Sequence, residues 1–122
     1  MEDKMNKSLY HYKAYVTKVY DGDTVTVDID LGLNVFAKKE KIRLSRINAP
    51  ELRGEEREEG LKSRDFLRSL IFKKEILVQT IKDRKGKYGR YLGEIFLVDE
   101  AGQKTNINDL LVEKGFAVYK KY

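Results

Sequence analysis

Three segments of the first half of the chain have the character of strands: the first is rich in β-branched and aromatic residues, and apolar and polar residues alternate in the other two. We predict one strand from each segment, at residues 13–20, 24–30 and 40–47. The second segment shows the pattern best, because Val25, Val27 and Ile29 fall on one face and polar residues fall on the other. A period of two is typical of strands with one buried face, so this half is predicted to consist of strands joined by turns.

The spacing of apolar residues changes after Pro50, where the third predicted strand ends. A single helical stripe is formed by Phe66, Leu67, Leu70 and Ile71. The glutamates near the start of this segment complement the positive end of a helix dipole. We therefore predict a helix over residues 54–72.

The strand pattern returns beyond this helix. Two further strands are predicted, at residues 75–81 and 90–98. A second helix begins at Thr105 or Asn106, both of which are good N-caps, and ends near Gly115. A short strand or extended tail follows it.

Five short strands with an interposed helix fit a small barrel better than a βαβ layer. The predicted fold class is mainly β (α+β), a five-stranded OB-fold β-barrel with about two α-helices, and barrels of this kind bind oligonucleotides. The length of 122 residues suits one core. We expect a polar N-terminal segment at residues 1–12 and one domain at residues 13–122.

Composition removes several classes of protein. Cysteine is absent, so the chain has no disulfide and no thiolate metal site. No apolar run approaches the roughly 18 residues of a membrane span, and no membrane partner is expected. The polar start of the chain has no apolar signal region, so we expect a cytoplasmic protein, or a secreted one if an export segment was removed.

The charge is basic overall and unevenly distributed. The net charge is +5; residues 1–61 carry 11 basic and 12 acidic side chains, whereas residues 62–122 carry 14 and 8. A basic half is typical of proteins that bind a polyanion such as nucleic acid. On charge alone, a basic surface that serves only solubility is an equally good interpretation.

Three stretches at predicted strand ends carry the candidate chemistry. They are "DGDT" with Asp21 and Asp23, "RLSRINAPE" with Arg43, Asn48 and Glu51, and "KYGR" with Lys87, Tyr88 and Arg90. Carboxylate, amide and carbonyl oxygens suit a hard cation, and arginines suit a phosphate. A glutamate beside the cation could position or deprotonate a water molecule. Together these groups suit metal-assisted hydrolysis of a phosphodiester.

Each stretch also has a plain structural interpretation. "DGD" is more commonly an ordinary turn, Arg43 a solvated strand residue, and "KDRKGKYGR" a solvated loop. Glu51 after Ala-Pro could simply complement the start of the following helix. The order and co-occurrence of the stretches carry more weight than any one of them.

In that order, the stretches resemble the staphylococcal nuclease (thermonuclease) family. The resemblance runs from about Tyr15 to about Tyr119 and rests on "VYDGDTVTV", "IRLSRINAPE", "GKYGRYLGEIF" and "LLVEKGFAVY". It implies a five-stranded OB-type barrel and a calcium-dependent (Ca2+) nuclease that cleaves DNA and/or RNA at the bond between phosphorus and the 5′ oxygen. Such an enzyme has little sequence preference, and we expect it to act as a monomer.

The resemblance also implies a role for each candidate residue. The metal site comprises Asp21, Asp23, Asn48 and the backbone carbonyl of Ala49. The catalytic residues are Glu51, which holds the water, and the phosphate-binding arginines Arg43 and Arg90. The nucleic-acid-binding residues lie in the charged loop, at Arg84, Lys85, Lys87 and Tyr88.

Asn48 departs from the family pattern, which has aspartate at this position. Asparagine keeps an oxygen ligand but removes one negative charge, so we expect weaker Ca2+ binding, or support of activity by another divalent ion. The main hypothesis is a working nuclease with a weakened metal site. The alternative is a catalytically weakened or inactive OB-fold module that only binds nucleic acid, and a third is a structural barrel with an incidental basic surface.

Overall fold

The computed structural model describes residues 10–81 and 89–120. The strands are β1 (His11–Asp21), β2 (Thr24–Asp30), β3 (Phe36–Leu44), β4 (Ile47–Asn48), β5 (Glu75–Thr80), β6 (Arg90–Val98), β7 (Lys104–Asn106) and β8 (Val118–Tyr119). The α-helices are α1 (Arg57–Ile71) and α2 (Ile107–Glu113), and a 3-10 turn at Gly54–Glu56 precedes α1.

Five long strands close into a barrel. Neighbouring strands in the order β3-β2-β1-β5-β6 pair antiparallel, and β3 also pairs with β6 in parallel, which joins the two edges. The short strand β7 extends the sheet beyond β6, and β4 pairs with β8. The predicted mainly β, five-stranded OB-type barrel with two helices is confirmed.

The core is filled by aliphatic side chains from the inner face of every long strand and from both helices. Those with no exposed surface include Val16, Val25, Val27, Ile42, Leu44, Val78, Ile95, Leu67, Ile71, Ile107 and Leu111. Full burial of one such side chain contributes roughly 1.5–3 kcal/mol. The alternation that predicted β2 therefore identifies the inward face correctly.

The buried face of α1 differs from the predicted stripe. Leu67 and Ile71 are buried as predicted, whereas Phe66 and Leu70 are only half-buried. Phe66 stacks on Phe116 with ring centroids 4.4 Å apart. The remaining buried residues of the helix include Gly60. A small residue carries no hydrophobic signal, yet it lets the helix approach its neighbours closely.

The predicted strand ends need correction. β1 begins at His11 and β3 at Phe36, two and four residues before the predicted starts. The predicted third strand is also interrupted, because Arg46 has a positive φ of 67° and turns the chain between β3 and β4. For α2 the prediction holds: Asn106 is the N-cap, and its side chain accepts a hydrogen bond from the Asp109 amide at 3.0 Å.

No helix in residues 10–81 and 89–120 has both the length and the apolar character needed to cross a lipid bilayer.

Candidate active site

The turn between β1 and β2 packs tightly against its neighbours at Gly22. A Cβ atom at this position would lie 2.0 Å from Ser63 Oγ and 2.7 Å from the Cβ of Ala49. Only glycine fits without displacing α1 or the segment after β4. The acidic turn is therefore held against the segment that carries Asn48 and Glu51.

Asp23 is the anchor of the site. It is 7% exposed, and its Oδ1 accepts a hydrogen bond from Thr24 Oγ1 at 3.2 Å. Its Oδ2 accepts from the Ala49 amide at 2.9 Å and lies 3.3 Å from Arg43 Nη2. The sequence-predicted residues Asp23, Arg43 and Ala49 are thus brought together.

Arg43 ties the site to the backbone of the following turn. Its Nη1 donates to the carbonyls of Leu44 at 2.7 Å and Ile47 at 3.0 Å, and its Nη2 donates to Asn48 Oδ1 at 3.2 Å. The guanidinium therefore bridges the side chains of Asp23 and Asn48. A positive charge already lies between these two predicted metal ligands.

Asp21 lies next to this anchored cluster and is half-buried. Its Oδ1 accepts a hydrogen bond from the Asp23 amide at 3.0 Å. Burial, followed by the neighbouring Asp23 carboxylate, raises the pKa of Asp21 to about 6. Two carboxyl groups held this close at partial burial favour a cation between or beside them.

Glu51 has a different environment. Its side chain is 63% exposed, and Arg53 Nε approaches its Oε2 at only 3.4 Å. Its backbone is fixed by α1, because a Cβ at Gly60 would lie 2.2 Å from the Glu51 carbonyl oxygen. A rigid backbone therefore presents a carboxylate that remains available to solvent.

Three of the candidate residues that face outward line one groove of about 670 Å³. It is lined by Lys18, Tyr20, Asp21, Thr24, Thr26, Lys41, Glu51, Arg53 and Arg90. Arg90 Nη1 donates to Thr24 Oγ1 at 3.4 Å. Asp21, Glu51 and Arg90 thus share one groove, and the hydrogen bonds of Asp23 and Thr24 connect it to Arg43 and Asn48.

The predicted site residues and the residues that line the groove do not coincide fully. Arg84, Lys85, Lys87 and Tyr88 lie outside the described residues. Lys41 was missed although it lies two positions before Arg43, where the period of a strand places it on the same face. Lys18 and Tyr20 carry no comparable signal, since an irregularity in β1 sets their direction.

The donor set fits a hard cation in its chemistry. Asp21 and Asp23 offer carboxylates, Asn48 an amide oxygen and Ala49 a backbone carbonyl, which are the ligand types that Ca2+ prefers. Among the described residues, no three His, Cys, Asp or Glu side chains are grouped so that they could hold a metal. Any metal here would therefore depend on the neutral oxygens of Asn48 and Ala49.

The fold and the site together define an OB-type barrel with an acidic turn beside an arginine-lined groove. The sequence model of the family described as "Staphylococcal nuclease homologue" matches residues 41–122. The chain belongs to this family, which confirms the resemblance seen in the sequence.

One relative is the uncharacterized protein MJ1439 of Methanocaldococcus jannaschii. It is 28% identical over 128 aligned residues, which cover 88% of this chain and 58% of that protein. The chain thus spans less than two thirds of the length of that relative.

Proposed function

We propose that the protein is a Ca2+-dependent phosphodiesterase that hydrolyses DNA and/or RNA with little sequence preference and acts as a monomer. The observation that carries this proposal is the placement of Asp21, Glu51 and Arg90 on one groove. A cation site, a water-positioning carboxylate and a phosphate-binding arginine are the parts that this reaction needs. Membership of the nuclease homologue family supports the same conclusion.

Each residue has a distinct task in the proposed reaction. Arg90 and Arg43 would bind the phosphodiester oxygens and stabilise the extra negative charge of the transition state. Glu51, exposed in the groove, would accept a hydrogen bond from the attacking water and take its proton. Ca2+ bound by Asp21, Asp23, Asn48 and the Ala49 carbonyl would supply additional positive charge at the phosphate.

The bond changes follow from these roles. The water oxygen forms a bond to phosphorus while the bond from phosphorus to the 5′ oxygen breaks. The 5′ oxygen takes a proton from solvent water and leaves as a hydroxyl, and the phosphate remains on the 3′ side. Exposure of Glu51 suits this cycle, because the carboxylate must return its proton to solvent before the next turnover.

A second function is favoured by the environment of Arg43. Its guanidinium is engaged by both Asp23 and Asn48, and the neutral amide of Asn48 would weaken a cation site at this position. A protein with these features could bind nucleic acid without cleaving it. The groove and its cations would serve that function equally well.

Release of acid-soluble nucleotides from denatured DNA and from RNA, across a Ca2+ titration with a chelator control, tests the proposal. Glu51→Gln is expected to lower the rate at least about 100-fold, because general-base catalysis typically contributes about 10²–10⁴. Glu58→Gln, an exposed glutamate of α1, is the matched control and should retain full activity. Equal rates for the two variants would refute the assignment of Glu51, and salt-sensitive binding with no release would establish the second function.

A further inference from the structure

A row of basic side chains crosses the outer face of the barrel. The strand registers align Lys18 of β1 with Thr26 of β2, Thr26 with Lys41 of β3, and Lys41 with Arg90 of β6. We call the three cations of this line, Lys18, Lys41 and Arg90, together with Thr26 between the two lysines, the basic row. Adjacent strands lie about 4.8 Å apart, so the row extends over about 14 Å.

The basic row runs parallel to a row that contains Asp21 and Arg43 of the candidate site. In this second row, Asp21 of β1 aligns with Thr24 of β2, which aligns with Arg43 of β3. Along β2 and β3 the two rows are two residues apart, which corresponds to roughly 6.6 Å. A ligand chain that enters the site at one row therefore has the other row beside it.

Irregularities in β1 create this arrangement. The register of β1 against β2 shifts between Val16 and Lys18, and again between Val19 and Asp21. The first shift lets Val16 and Val19 both face the core although they are three residues apart, and it leaves Lys18 exposed on the outside with Tyr20. Such bulges are common beside functional sites, where they redirect a side chain.

The side chains of this face are available for a ligand. Lys18, Tyr20 and Lys41 all line the same groove as Asp21 and Glu51, and Tyr20 is 58% exposed. Across residues 10–81 and 89–120, no carboxylate forms an ion pair with Lys18 or Lys41. Two ammonium groups without an ion pair among the described residues, and an exposed ring, therefore flank the candidate site.

We propose that Lys18 and Lys41 of the basic row bind the sugar–phosphate backbone of nucleotides adjacent to the scissile phosphate, which Arg90 at the end of the row binds, and that Tyr20 stacks on a base of the same strand. The inference rests on the proposed function, since it extends that site to neighbouring nucleotides. The ligand is a single strand rather than a duplex, because the faces of bases inside a duplex are covered by their neighbours, whereas those of a single strand are open to an exposed ring. Repeated phosphates also match cations spread along a line better than a single anion does.

The salt dependence of binding tests the row directly. The probe is a fluorescent 12-nucleotide oligothymidylate, titrated with protein that carries Glu51→Gln so that the strand stays intact. The double variant Lys18→Gln/Lys41→Gln should flatten the slope of log affinity against log salt by about 1.4, since each phosphate contact on a single strand contributes about 0.7. The matched control is Lys13→Gln/Lys38→Gln, which removes two exposed lysines from the same two strands outside the groove.

The outcomes separate this inference from the proposed function. A flattened slope only in the Lys18/Lys41 variant supports the row whether or not the parent protein cleaves DNA. Equal slopes in the two double variants would overturn the row even if the nuclease activity is real. If the Glu51→Gln protein with all its lysines intact does not bind the oligothymidylate, the inference is overturned as well.

A second substitution tests the aromatic contact. Tyr20→Leu should weaken oligothymidylate binding at least about fivefold, the lower end of what one base–aromatic stack contributes. Tyr20→Phe retains the ring and should bind like the parent. A loss of the same size in both variants would assign the effect to the hydroxyl and refute stacking, and equal affinity for a 12-base-pair duplex would refute the single-strand assignment.

Discussion

Two glutamates of the molecule, Glu94 and Glu51, have carboxylates in opposite environments. Glu94 is 8% exposed and lies in β6, where it accepts hydrogen bonds from Ser45, Arg46, Asn106 and Asn108. Glu51 is 63% exposed and has Arg53 at 3.4 Å as its neighbour. A carboxylate whose oxygens accept several hydrogen bonds from the protein stabilises the fold. A carboxylate that is exposed in a groove is free to act on a ligand.

The surroundings of Glu94 show what the saturated carboxylate does. Asn108 donates to the carbonyls of Ser45 at 3.0 Å and Gly93 at 3.1 Å, and its Oδ1 accepts from the Ile95 amide at 3.1 Å. Hydrogen bonding to Glu94 holds the pKa of Arg46 above its ordinary value, and Asp109 adds to the effect. The network therefore fixes the start of α2 against the turn after β3.

Replacing each carboxylate with an amide is the strongest test of this comparison, because the two substitutions should change the free energy of unfolding by very different amounts. Glu94→Gln places an NH₂ group among donors that need an acceptor, and it should lower the free energy of unfolding by about 2–4 kcal/mol. Glu51→Gln should change it by less than about 0.5 kcal/mol, because the side chain is exposed. Urea denaturation of the two variants measures both values.

Asp109→Asn provides a control within the same network. Asp109 is 43% exposed and 2.9 Å from Arg46, so its loss should cost at most about 1 kcal/mol. If Glu94→Gln unfolds at the parent's urea midpoint, then the network is not structural and the contrast with Glu51 fails.

The sequence predicts features that depend on residues close together in the chain, and it does not predict the Glu94 network, which depends on residues far apart. Local signals identified the barrel strands, the Asn106 cap and the DGDT turn, since each depends on neighbours in the chain. The Glu94 network was missed because its members come from three separate segments, at residues 45–46, 94 and 106–109, and meet only after the barrel closes. No periodicity in "RYLGEIFLV" distinguishes Glu94 from an ordinary outward-facing strand residue.

Charge counting along the chain does not locate the cations that line the groove. The basic excess lies in residues 62–122, yet most cations of the groove come from the acidic half, at Lys18, Lys41 and Arg53. Strand pairing decides which charges become neighbours, and pairing joins residues far apart in sequence. The bulges in β1 add a shift that alternation alone cannot predict.

Gly60→Ala tests whether the position of Glu51 matters, because it should move Glu51 without altering its charge. The new Cβ would lie 2.2 Å from the Glu51 carbonyl oxygen, so α1 or the segment after Pro50 must shift. We expect a loss of stability of about 1–3 kcal/mol, typical of overpacking, despite the better helix propensity of alanine. Nuclease activity of the folded variant should fall as well.

Lys62→Ala on the same helix is the control for this variant. Its side chain is 65% exposed and 3.8 Å from Glu59, so stability should change by less than about 0.5 kcal/mol. A Gly60→Ala protein as stable and active as the parent would show that the Glu51 segment relaxes freely and that its position is not set by α1.

Asn48→Asp gives the smallest expected effect and tests the proposed cation site itself. Arg43 Nη2 lies 3.2 Å from Asn48 Oδ1 and 3.3 Å from Asp23 Oδ2, so a counter-charge for the new carboxylate is already in place. The fold should therefore tolerate the substitution. A further charged ligand should lower the Ca2+ concentration for half-maximal binding about tenfold, equivalent to about 1.4 kcal/mol, as measured by calorimetry.

Asn34→Asp adds the same charge on the exposed hairpin between β2 and β3, where a positive φ of 66° suits either residue. An equal gain in both variants would mean that Ca2+ responds to net charge and not to coordination at residue 48. A gain confined to Asn48→Asp, with a matching gain in nucleotide release, would mean that the bridging Arg43 yields to the cation. The engagement of Arg43 by Asp23 and Asn48 would then describe the resting arrangement of a nuclease rather than the permanent state of a binding module.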